Sequence, residues 1–350
     1  MDWGLGHTSR CVPIISYLLR LGHKVTFAGN KWQRNFIEET FPGIETIHID
    51  GYNVRYNNSG NGLIFSILKQ APGILKTIKR EHAWLDELVK EGRFEGVISD
   101  NRYGLYSSRI PSVIITHQLE VQTGLGQLAN NLFRKQHYRM LGHFAEVWVP
   151  DVAGEPNISG KLGHPEKIAA NTRYIGCLSQ LEASKTDLQE DGSLLVLLSG
   201  VEPQRSILSK QLWQEVCEYN GKVIFVEGSR NSKSPGTIPG HITYLKQVTK
   251  DELLPIMQRA SVVIARSGYS TIMDLVLMNK KAILIPTAGQ TEQEYLGGHL
   301  HKQGVFYCTP QKGFDLKNSL KEMERFPFSH LSIKDAHNQY RQEIERWLSL

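Results

Sequence analysis

Short apolar runs alternate with amphipathic stretches along most of the chain. This alternation is typical of parallel sheets in which buried strands are joined by helical crossovers. It predicts strands at Lys24–Ala28, Thr46–Ile49, Gly96–Ser99, Ser112–Thr116, Glu146–Val149, Thr172–Ile175, Ser193–Leu198, Lys222–Glu227, Ile242–Leu245, Ser261–Ala265 and Ala282–Pro286. We therefore predict an α/β protein built on doubly wound parallel sheets.

A stretch without hydrophobic periodicity separates the two halves of the chain. Leu178 to Asp191 is polar and rich in Glu, Ser, Lys and Asp, as expected of a linker. The length of 350 residues suits two domains that each bury a core. We predict a first domain over residues 1–178, a linker over 179–191, a second domain over 192–332 and a final amphipathic helix over 333–350.

Composition and charge exclude several classes of protein. The formal net charge of +5 is modest, and no basic stripe is interleaved with aromatic residues, which disfavours nucleic acid as a partner. No apolar run suits a membrane span and the first residues do not resemble a signal peptide, so we expect a cytoplasmic protein. The four cysteines lie far apart without a Cys-x-x-Cys pair, which argues against a zinc knuckle or a disulfide framework.

A glycine between a strand and a helix is the most informative local feature. The run from Ile264 to Asp274 predicts a buried strand that ends at Arg266-Ser267-Gly268, where a helix begins. Backbone N–H groups at the start of such a helix stabilise phosphate oxygens, and Asp274 could accept both hydroxyls of a ribose. The pattern predicts a site for a nucleotide diphosphate, although an ordinary strand, turn and helix has the same pattern.

A second apolar strand follows this helix and ends at Pro286. Gln290, Gln293 and Glu294 come next, and their uncharged and acidic groups suit the hydroxyls of a sugar. The two strands and the polar residues that follow each of them predict one site for a nucleotide sugar.

Together these segments resemble the donor-binding half of the glycosyltransferases with two Rossmann-like domains, in particular the family of the peptidoglycan N-acetylglucosaminyltransferase that forms lipid II. The residues that match are Arg266-Ser267-Gly268, Asp274, Pro286 and Gln293-Glu294-Tyr295. Two of them depart from the family pattern, since Asp274 replaces the usual Glu and Glu294 stands where the family more often has Gln. The match is close from Arg266 to Tyr295 and loose elsewhere.

The resemblance implies the GT-B fold, in which two Rossmann-like domains face a central cleft and a final helix packs back on the first domain. It also implies a UDP-sugar donor and no cofactor. The nucleotide-sugar-binding residues expected on this basis are Gly6, Ser199, Gly200, Arg205, Ser206, Arg266, Ser267, Gly268, Thr271, Asp274, Gln290, Gln293 and Glu294. The chain has no Asp-x-Asp sequence, so we expect helix ends and side chains, rather than a metal ion, to meet the charge of the leaving UDP.

A further glycine turn, from Ser199 to Ser206, follows the buried strand that opens the second domain. In the resembled enzymes the corresponding loop brings backbone amides near the diphosphate, and Arg205 or Ser206 could add a phosphate contact. The alternative is a plain loop between a strand and a helix.

The first glycine turn lies at the beginning of the chain, where Gly4-Leu5-Gly6-His7-Thr8-Ser9-Arg10 enters a predicted helix that ends at Gly22. Such a turn normally follows the central first strand, so we expect that this strand is missing upstream of Met1. A third glycine at the correct spacing is absent, which disfavours an NAD enzyme.

His7 is the candidate general base. Gly-x-Gly-His at this place resembles the lipid II family, while Gly4, Gly6, His7 and Arg10 match the Gly-x-Gly-His-x-x-Arg turn of the hydrolases that release UDP from amino-sugar nucleotides. The positive end of a helix disfavours the cationic imidazole, so a neutral His7 could accept a proton. The alternative is that His7 only caps the helix or bonds a backbone carbonyl.

Two further groups follow strands of the first domain, where ligands of parallel sheets bind. Asp100 could pair with His7 or bind the acceptor, or it could cap the next helix. His117 and Gln118 lie in a Thr-His-Gln run that loosely resembles a His-Glu-Gln-Asn turn of the lipid II family, which implies an acceptor contact.

The stretch Gly62–Arg80 holds more apolar residues than one buried face needs, beside Lys69, Lys76 and Lys79. Basic amphipathic segments bind anionic membranes, and the resembled family has a hydrophobic patch ringed by basic residues in this domain. We expect peripheral contact with the inner face of the membrane here. The alternative is two ordinary helices split at Ala71-Pro72-Gly73 and packed on the sheet.

These features lead to one expected activity and two alternatives. The chain is expected to transfer a sugar, such as an N-acetylated hexosamine, from UDP to a lipid-linked or soluble acceptor, with inversion and with His7 and Asp100 as catalytic residues. The alternatives are a UDP-sugar hydrolase that uses the same His7 and a nucleotide-sugar sensor without chemistry.

Overall fold

The computed structural model describes residues 5–52, 63–120, 127–181, 188–229, 232–331, 333 and 338–349. These residues form two compact units. The first unit comprises residues 11–178 and 333–350, and the second comprises residues 179–332 together with residues 5–10 at the start of the chain.

The first unit contains parallel strands and flanking helices. Helix α1 (Leu5–Arg20) begins in the second unit and enters the first at Cys11. The elements that follow it in the first unit are β1 (Thr26–Gly29), α2 (Lys31–Thr40), β2 (Glu45–His48), α3 (Leu63–Lys90), β3 (Val97–Asp100), β4 (Ser112–Ile115), α4 (Gln127–Leu141), β5 (Glu146–Val149) and β6 (Thr172–Tyr174). Two parallel sheets are present, β1-β2 and β3-β4-β5-β6. Every residue of β4 and β5 is buried, as expected of parallel strands covered on both faces.

The second unit contains one parallel sheet of six strands in the order β12-β11-β10-β7-β8-β9. Its elements are β7 (Ser193–Leu197), α5 (Gln204–Cys217), β8 (Val223–Val226), β9 (Ile242–Leu245), α6 (Lys250–Arg259), β10 (Ala260–Ala265), α7 (Tyr269–Leu277), β11 (Ala282–Leu284), α8 (Thr291–Lys302), β12 (Tyr307–Cys308) and α9 (Leu316–Arg325). The strand order reverses between β7 and β10, and ligands of open α/β sheets bind at the carboxyl ends of the strands at such a point.

The last helix, α10 (Gln339–Leu348), belongs to the first unit. Trp347 packs edge-on against the fully buried Trp148 of β5, with ring centroids 5.9 Å apart. Arg346 donates to a carboxylate oxygen of Glu146 at 2.5 Å, and Glu345 accepts a short hydrogen bond from the Tyr17 hydroxyl. The helix therefore packs on strands of the first unit that precede it in the chain by about 190 residues or more.

All eleven predicted strands are present, with bounds that differ from the predictions by two residues or fewer. The short β12 was missed because two residues show no pattern that separates a strand from a loop. The split of Gly62–Arg80 into two helices is wrong, since α3 continues through Pro72. A proline inside a helix removes one backbone hydrogen bond, and here the surrounding turns continue the helix.

Candidate functional site

The carboxyl ends of β7 and β10 are adjacent in the sheet of the second unit. Residues Leu194 to Leu197 of β7 pair in parallel with residues Val262 to Ala265 of β10. The two glycine turns at Gly200 and Gly268 follow these strands, so both lie at the point where the strand order reverses.

The helix that follows β10 begins with an uncapped end. Gly268 is the N-cap of α7 with extended backbone and makes no side-chain cap hydrogen bond, and a Cβ built on it meets no atom within 4 Å. Thr271, in the first turn, is half-buried. The N–H groups of this turn and the helix dipole make the open space beside Gly268 favourable for an anion.

Two serines beside Gly268 fix the turn. The hydroxyl of Ser267 is fully buried and donates to the carbonyl of Gln293 at 2.8 Å. The hydroxyl of Ser270 donates at 2.8 Å to the carbonyl of Gly6, which belongs to the same unit. A side chain at Gly6 would crowd Ser270, because a Cβ there would lie 3.2 Å from its Oγ.

Arg266 is buried and donates hydrogen bonds to the backbone of two loops of the site. Its guanidinium is 2% exposed and donates to the carbonyls of Ile285, Pro286 and Gln204 at 3.0–3.2 Å. Burial lowers the pKa of Arg266 to about 10. The side chain therefore joins the ends of β10 and β11 to the start of α5, and its expected contact with a nucleotide sugar stays a prediction.

Asp274 lies on α7 and is 8% exposed. Its Oδ1 accepts a short hydrogen bond from the hydroxyl of Ser179. Burial raises the pKa of Asp274 to about 7, and the Ser179 hydrogen bond opposes this rise. The carboxyl group is therefore near its titration point at neutral pH, and its ionised form has two acceptor oxygens.

The glycine turn after β7 depends on close backbone approach. Gly200 has a φ of +114°, a region that favours glycine. Gly228, after β8, has a φ of +73°, and a Cβ built on it would lie 2.0 Å from the carbonyl oxygen of Leu198. The half-buried Ser199 directly follows Leu198 in the chain. Glycine at position 228 therefore allows the backbone of the turn at Leu198 and Ser199 to lie this close to it.

Arg205 is buried in an ion-pair cluster beside the same turn. Its guanidinium makes short hydrogen bonds to the carboxylates of Glu227 and Glu202, and Ser206 takes part through its hydroxyl and its N–H. The hydroxyl of Ser209 donates to the second oxygen of Glu227 at 2.7 Å. Two carboxylates therefore already contact the charge of Arg205, and its phosphate contact stays a prediction.

The predicted sugar-binding residues after β11 fold back on their own loop. Gln290 is the N-cap of α8 and is half-buried. The side-chain oxygen of the buried Gln293 accepts from the N–H of Thr287 at 2.9 Å, and that of the exposed Glu294 accepts from the N–H of Gly289. These bonds give the loop a defined shape beside the N terminus of α7.

His7 lies in the first turn of α1 and is half-buried. Its Nδ1 lies 2.9 Å from a guanidinium nitrogen of Arg10, which is 2% exposed. Because a guanidinium only donates, Nδ1 accepts this hydrogen bond, and the neutral ring carries its proton on Nε2. The tautomer that could accept a proton at Nε2 therefore requires Arg10 to release Nδ1.

Asp100, His117 and Gln118, the expected site residues of the first unit, lie at or after the ends of two different strands. Asp100 ends β3, and its Oδ2 lies 3.6 Å from the Sγ of Cys11. The alternative that Asp100 caps a helix is wrong, because residues 101–111 form turns before β4. His117 is buried, and the N–H of the half-buried Gln118 donates to the hydroxyl of Thr116.

Two residues of interest had little or no signal in the sequence. Ser179 is the first residue of the predicted linker and lies 95 positions from Asp274, so no local pattern connects them. Arg10 was visible only as part of a motif match, and its partner His7 is three positions away.

Within the ranges given above, no group of three His, Cys, Asp or Glu residues could hold a metal ion. In the same part of the chain, no helix combines the length and apolar character of a membrane span.

Comparisons with known proteins agree with this architecture. Residues 209–345 match the C-terminal domain of glycosyltransferase family 28. An uncharacterized glycosyltransferase of Methanosarcina acetivorans is 23% identical over 334 residues, covering 88% of this chain and 84% of the relative. The UDP-N-acetylglucosamine--N-acetylmuramyl-(pentapeptide) pyrophosphoryl-undecaprenol N-acetylglucosamine transferase of Gloeothece citriformis is 20% identical and covers 91% of this chain and 82% of its own length.

Solved structures show the same fold. The calicheamicin glycosyltransferase CalG4 aligns with a TM-score of 0.62 at 13% identity, covering 99% of this chain and 96% of that chain. The spinosyn rhamnosyltransferase SpnG, in complex with thymidine diphosphate, aligns with a TM-score of 0.57 at 12% identity, covering 98% and 92%. From its parallel-sheet units, its sequence relatives and these structures, we conclude that the chain is a glycosyltransferase of the GT-B fold that resembles the family forming lipid II.

Proposed function

We propose that the protein transfers a sugar, of the N-acetylhexosamine class, from a UDP-sugar to an acceptor that is lipid-linked. The observation that supports this most is the uncapped N terminus of α7 at Gly268 with Asp274 buried on the same helix. The first provides N–H groups for a diphosphate, and the second provides acceptors for a ribose. The uridine and the lipid-linked acceptor rest on the activity for which the Gloeothece relative is named.

The proposed reaction is a direct displacement with inversion and without a metal ion. The acceptor oxygen forms a bond to the anomeric carbon while the bond from that carbon to the UDP oxygen breaks, and the acceptor proton passes to His7. The Gly200 turn and the start of α7 stabilise the negative charge of UDP as it leaves. In this scheme the hydrogen bond from Arg10 to Nδ1 of His7 breaks during the reaction cycle. It must break because His7 has to present an unprotonated nitrogen to the acceptor hydroxyl.

Hydrolysis is the second candidate, and the 2.9 Å bond between Arg10 and His7 favours it. The histidine and arginine of the turn shared with the UDP-sugar hydrolases are in direct contact, so the motif has a physical counterpart here. Incubation with candidate UDP-sugars, with and without cell lipid, followed by mass spectrometry of the products, separates the two reactions. A glycosylated lipid supports transfer, whereas free sugar formed equally under both conditions supports hydrolysis.

Asp274→Asn is expected to weaken UDP binding by about 1–3 kcal/mol, because a charged acceptor to two hydroxyls is lost. The affinity difference between wild type and this variant should be largest above pH 7 and should disappear as the pH falls below the Asp274 pKa of about 7, since the wild-type carboxyl is then neutral as well. Isothermal titration calorimetry with UDP between pH 6 and pH 8.5 measures both effects. Equal affinities at the upper end would remove Asp274 from the nucleotide site.

Membrane contact through α3 is proposed from its exposed face. The structure describes the backbone of residues 63–69 but not their side chains, which include Phe65 and Leu68. Further along the helix, Leu75 is 48% exposed beside the exposed Lys76, Lys79 and Arg80. Leu75→Ser is expected to weaken binding to anionic vesicles about fivefold, because a partly exposed leucine loses its burial in lipid. Co-sedimentation at rising salt measures this loss and a steep decline of wild-type binding.

Ile238→Ser is the matched control for the vesicle experiment, since Ile238 is 41% exposed in the second unit. This variant is expected to bind vesicles as the wild type does. Absence of vesicle binding at every salt concentration would exclude the membrane contact and leave a soluble acceptor as the proposal.

A further inference from the structure

The hydroxyl of Ser179, where the main segment of the second unit begins, contacts the carboxyl of Asp274. Its Oγ accepts a hydrogen bond from the N–H of Leu181 at 3.0 Å and donates a short one to Oδ1 of Asp274. Ser179 is 7% exposed and Asp274 is 8% exposed, so both groups of this pair are largely removed from water. Burying a carboxyl group without a hydrogen-bond partner raises the free energy of the folded state, so this bond stabilises the folded protein.

The segment that begins at Ser179 is also held at its other end. Glu190 accepts from the ammonium group of Lys280 at 2.8 Å, and the same buried ammonium group donates to the carbonyls of Gln258 and Ala260 at 2.7 and 3.0 Å. Lys280 comes three residues after the end of α7, and Asp274 lies on that helix. The segment is therefore attached at both ends to α7 or to the residues that follow it.

We infer that Ser179 is a positioning residue for the donor nucleotide, holding one oxygen of the Asp274 carboxylate so that the other can accept a ribose hydroxyl. This inference rests on the proposed function, because it assigns Ser179 to the same nucleotide site. A hydrogen bond from Ser179 favours the ionised form of Asp274, which is the form that accepts from a diol. Burial is the main cause that opposes ionisation, and no charged side chain in the described part of the chain contributes to the shift.

Ser179→Ala is expected to raise the dissociation constant of UDP about tenfold at pH 7.5, through loss of a hydrogen bond to a charged group. Ser179→Thr keeps the hydroxyl and should restore the affinity to within about twofold. Glu190→Ala removes the acceptor of Lys280 at the other end of the segment and should leave UDP binding unchanged. Calorimetry at 25 °C, with the melting temperature of each variant measured in parallel, restricts the comparison to folded protein.

A double-mutant cycle tests whether Ser179 acts through Asp274. In the Asp274→Asn background, Ser179→Ala should cause no further loss of UDP affinity. The pH at which UDP affinity rises should be higher in Ser179→Ala than in wild type, because the ionised carboxylate has lost a donor. A purely structural role for Ser179 would not shift this pH.

The outcomes separate the inference from the proposed function. If Asp274→Asn weakens UDP binding while Ser179→Ala does not, the nucleotide site stands and the positioning role is overturned. The positioning role is also overturned if the losses of the two substitutions add. If neither substitution changes UDP affinity, both the positioning role and the proposed ribose contact fail.

Discussion

His7→Ala is expected to lower the rate of sugar transfer about 10²–10⁴-fold while leaving the affinity for UDP within about twofold. The large effect follows from the role proposed for the ring, because an acceptor hydroxyl is a poor nucleophile until its proton is removed. UDP affinity should be retained, since the proposed nucleotide contacts come from the start of α7 and from Asp274. Single-turnover product formation and calorimetry with UDP measure the two quantities separately.

His7→Gln is the matched variant for this experiment. The glutamine side-chain oxygen can accept from Arg10 and its amide can donate, but the side chain cannot take up a proton. Equal losses in the alanine and glutamine variants indicate a general base, whereas near wild-type activity in the glutamine variant indicates that His7 acts as a hydrogen-bond donor. Full activity in the alanine variant would contradict both transfer and hydrolysis through His7.

Gly228→Ala is expected to destabilise the protein by about 2–5 kcal/mol, combining the cost of a left-handed conformation with that of a forced contact. The new Cβ would lie 2.0 Å from the carbonyl oxygen of Leu198, and this neighbour is backbone that cannot rotate away. The displaced turn includes Ser199 and Gly200, so UDP affinity should fall along with the stability. Chemical denaturation and calorimetry measure these two effects.

Gly192→Ala isolates the steric part of this prediction. Gly192 has a φ of +75°, close to the +73° of Gly228, but a Cβ built on it meets no atom within 4 Å. This variant should lose only about 1–2 kcal/mol of unfolding free energy. Similar losses in the two variants would show that the contact with Leu198 relaxes at little cost.

The sequence was informative where a residue's role depends on its immediate neighbours. The strands were predictable because buried parallel strands consist of short, continuous apolar runs, such as Leu194 to Leu197 and Val262 to Ala265. The turn at Gly268 was predictable for the same local reason, since a glycine between an apolar strand and an amphipathic helix marks a helix start. The bounds of these elements required no knowledge of distant partners.

The roles of the charged residues depended on distant partners and were less predictable. Arg205 was expected to add a phosphate contact and Arg266 to bind the nucleotide sugar. The sequence did not indicate that Arg205 pairs with Glu227 or that Arg266 donates to the carbonyls after β11. A sequence motif fixes the position of an arginine along the chain but does not indicate whether its guanidinium points outward or into the protein. The Ser179 bond to Asp274 was invisible for the same reason.

The return of α10 to the first unit has a consequence for biosynthesis. Trp148 and Glu146 emerge from the ribosome well before their partners Trp347 and Arg346, and residues 179–332 of the second unit are translated in between. At about 5–20 residues per second, that delay lasts roughly 10–40 s. During this time Trp148 in the nascent first unit lacks its packing partner in α10. A chaperone that binds apolar surface is therefore expected to associate with chains arrested before residue 339 and to dissociate once α10 has been translated.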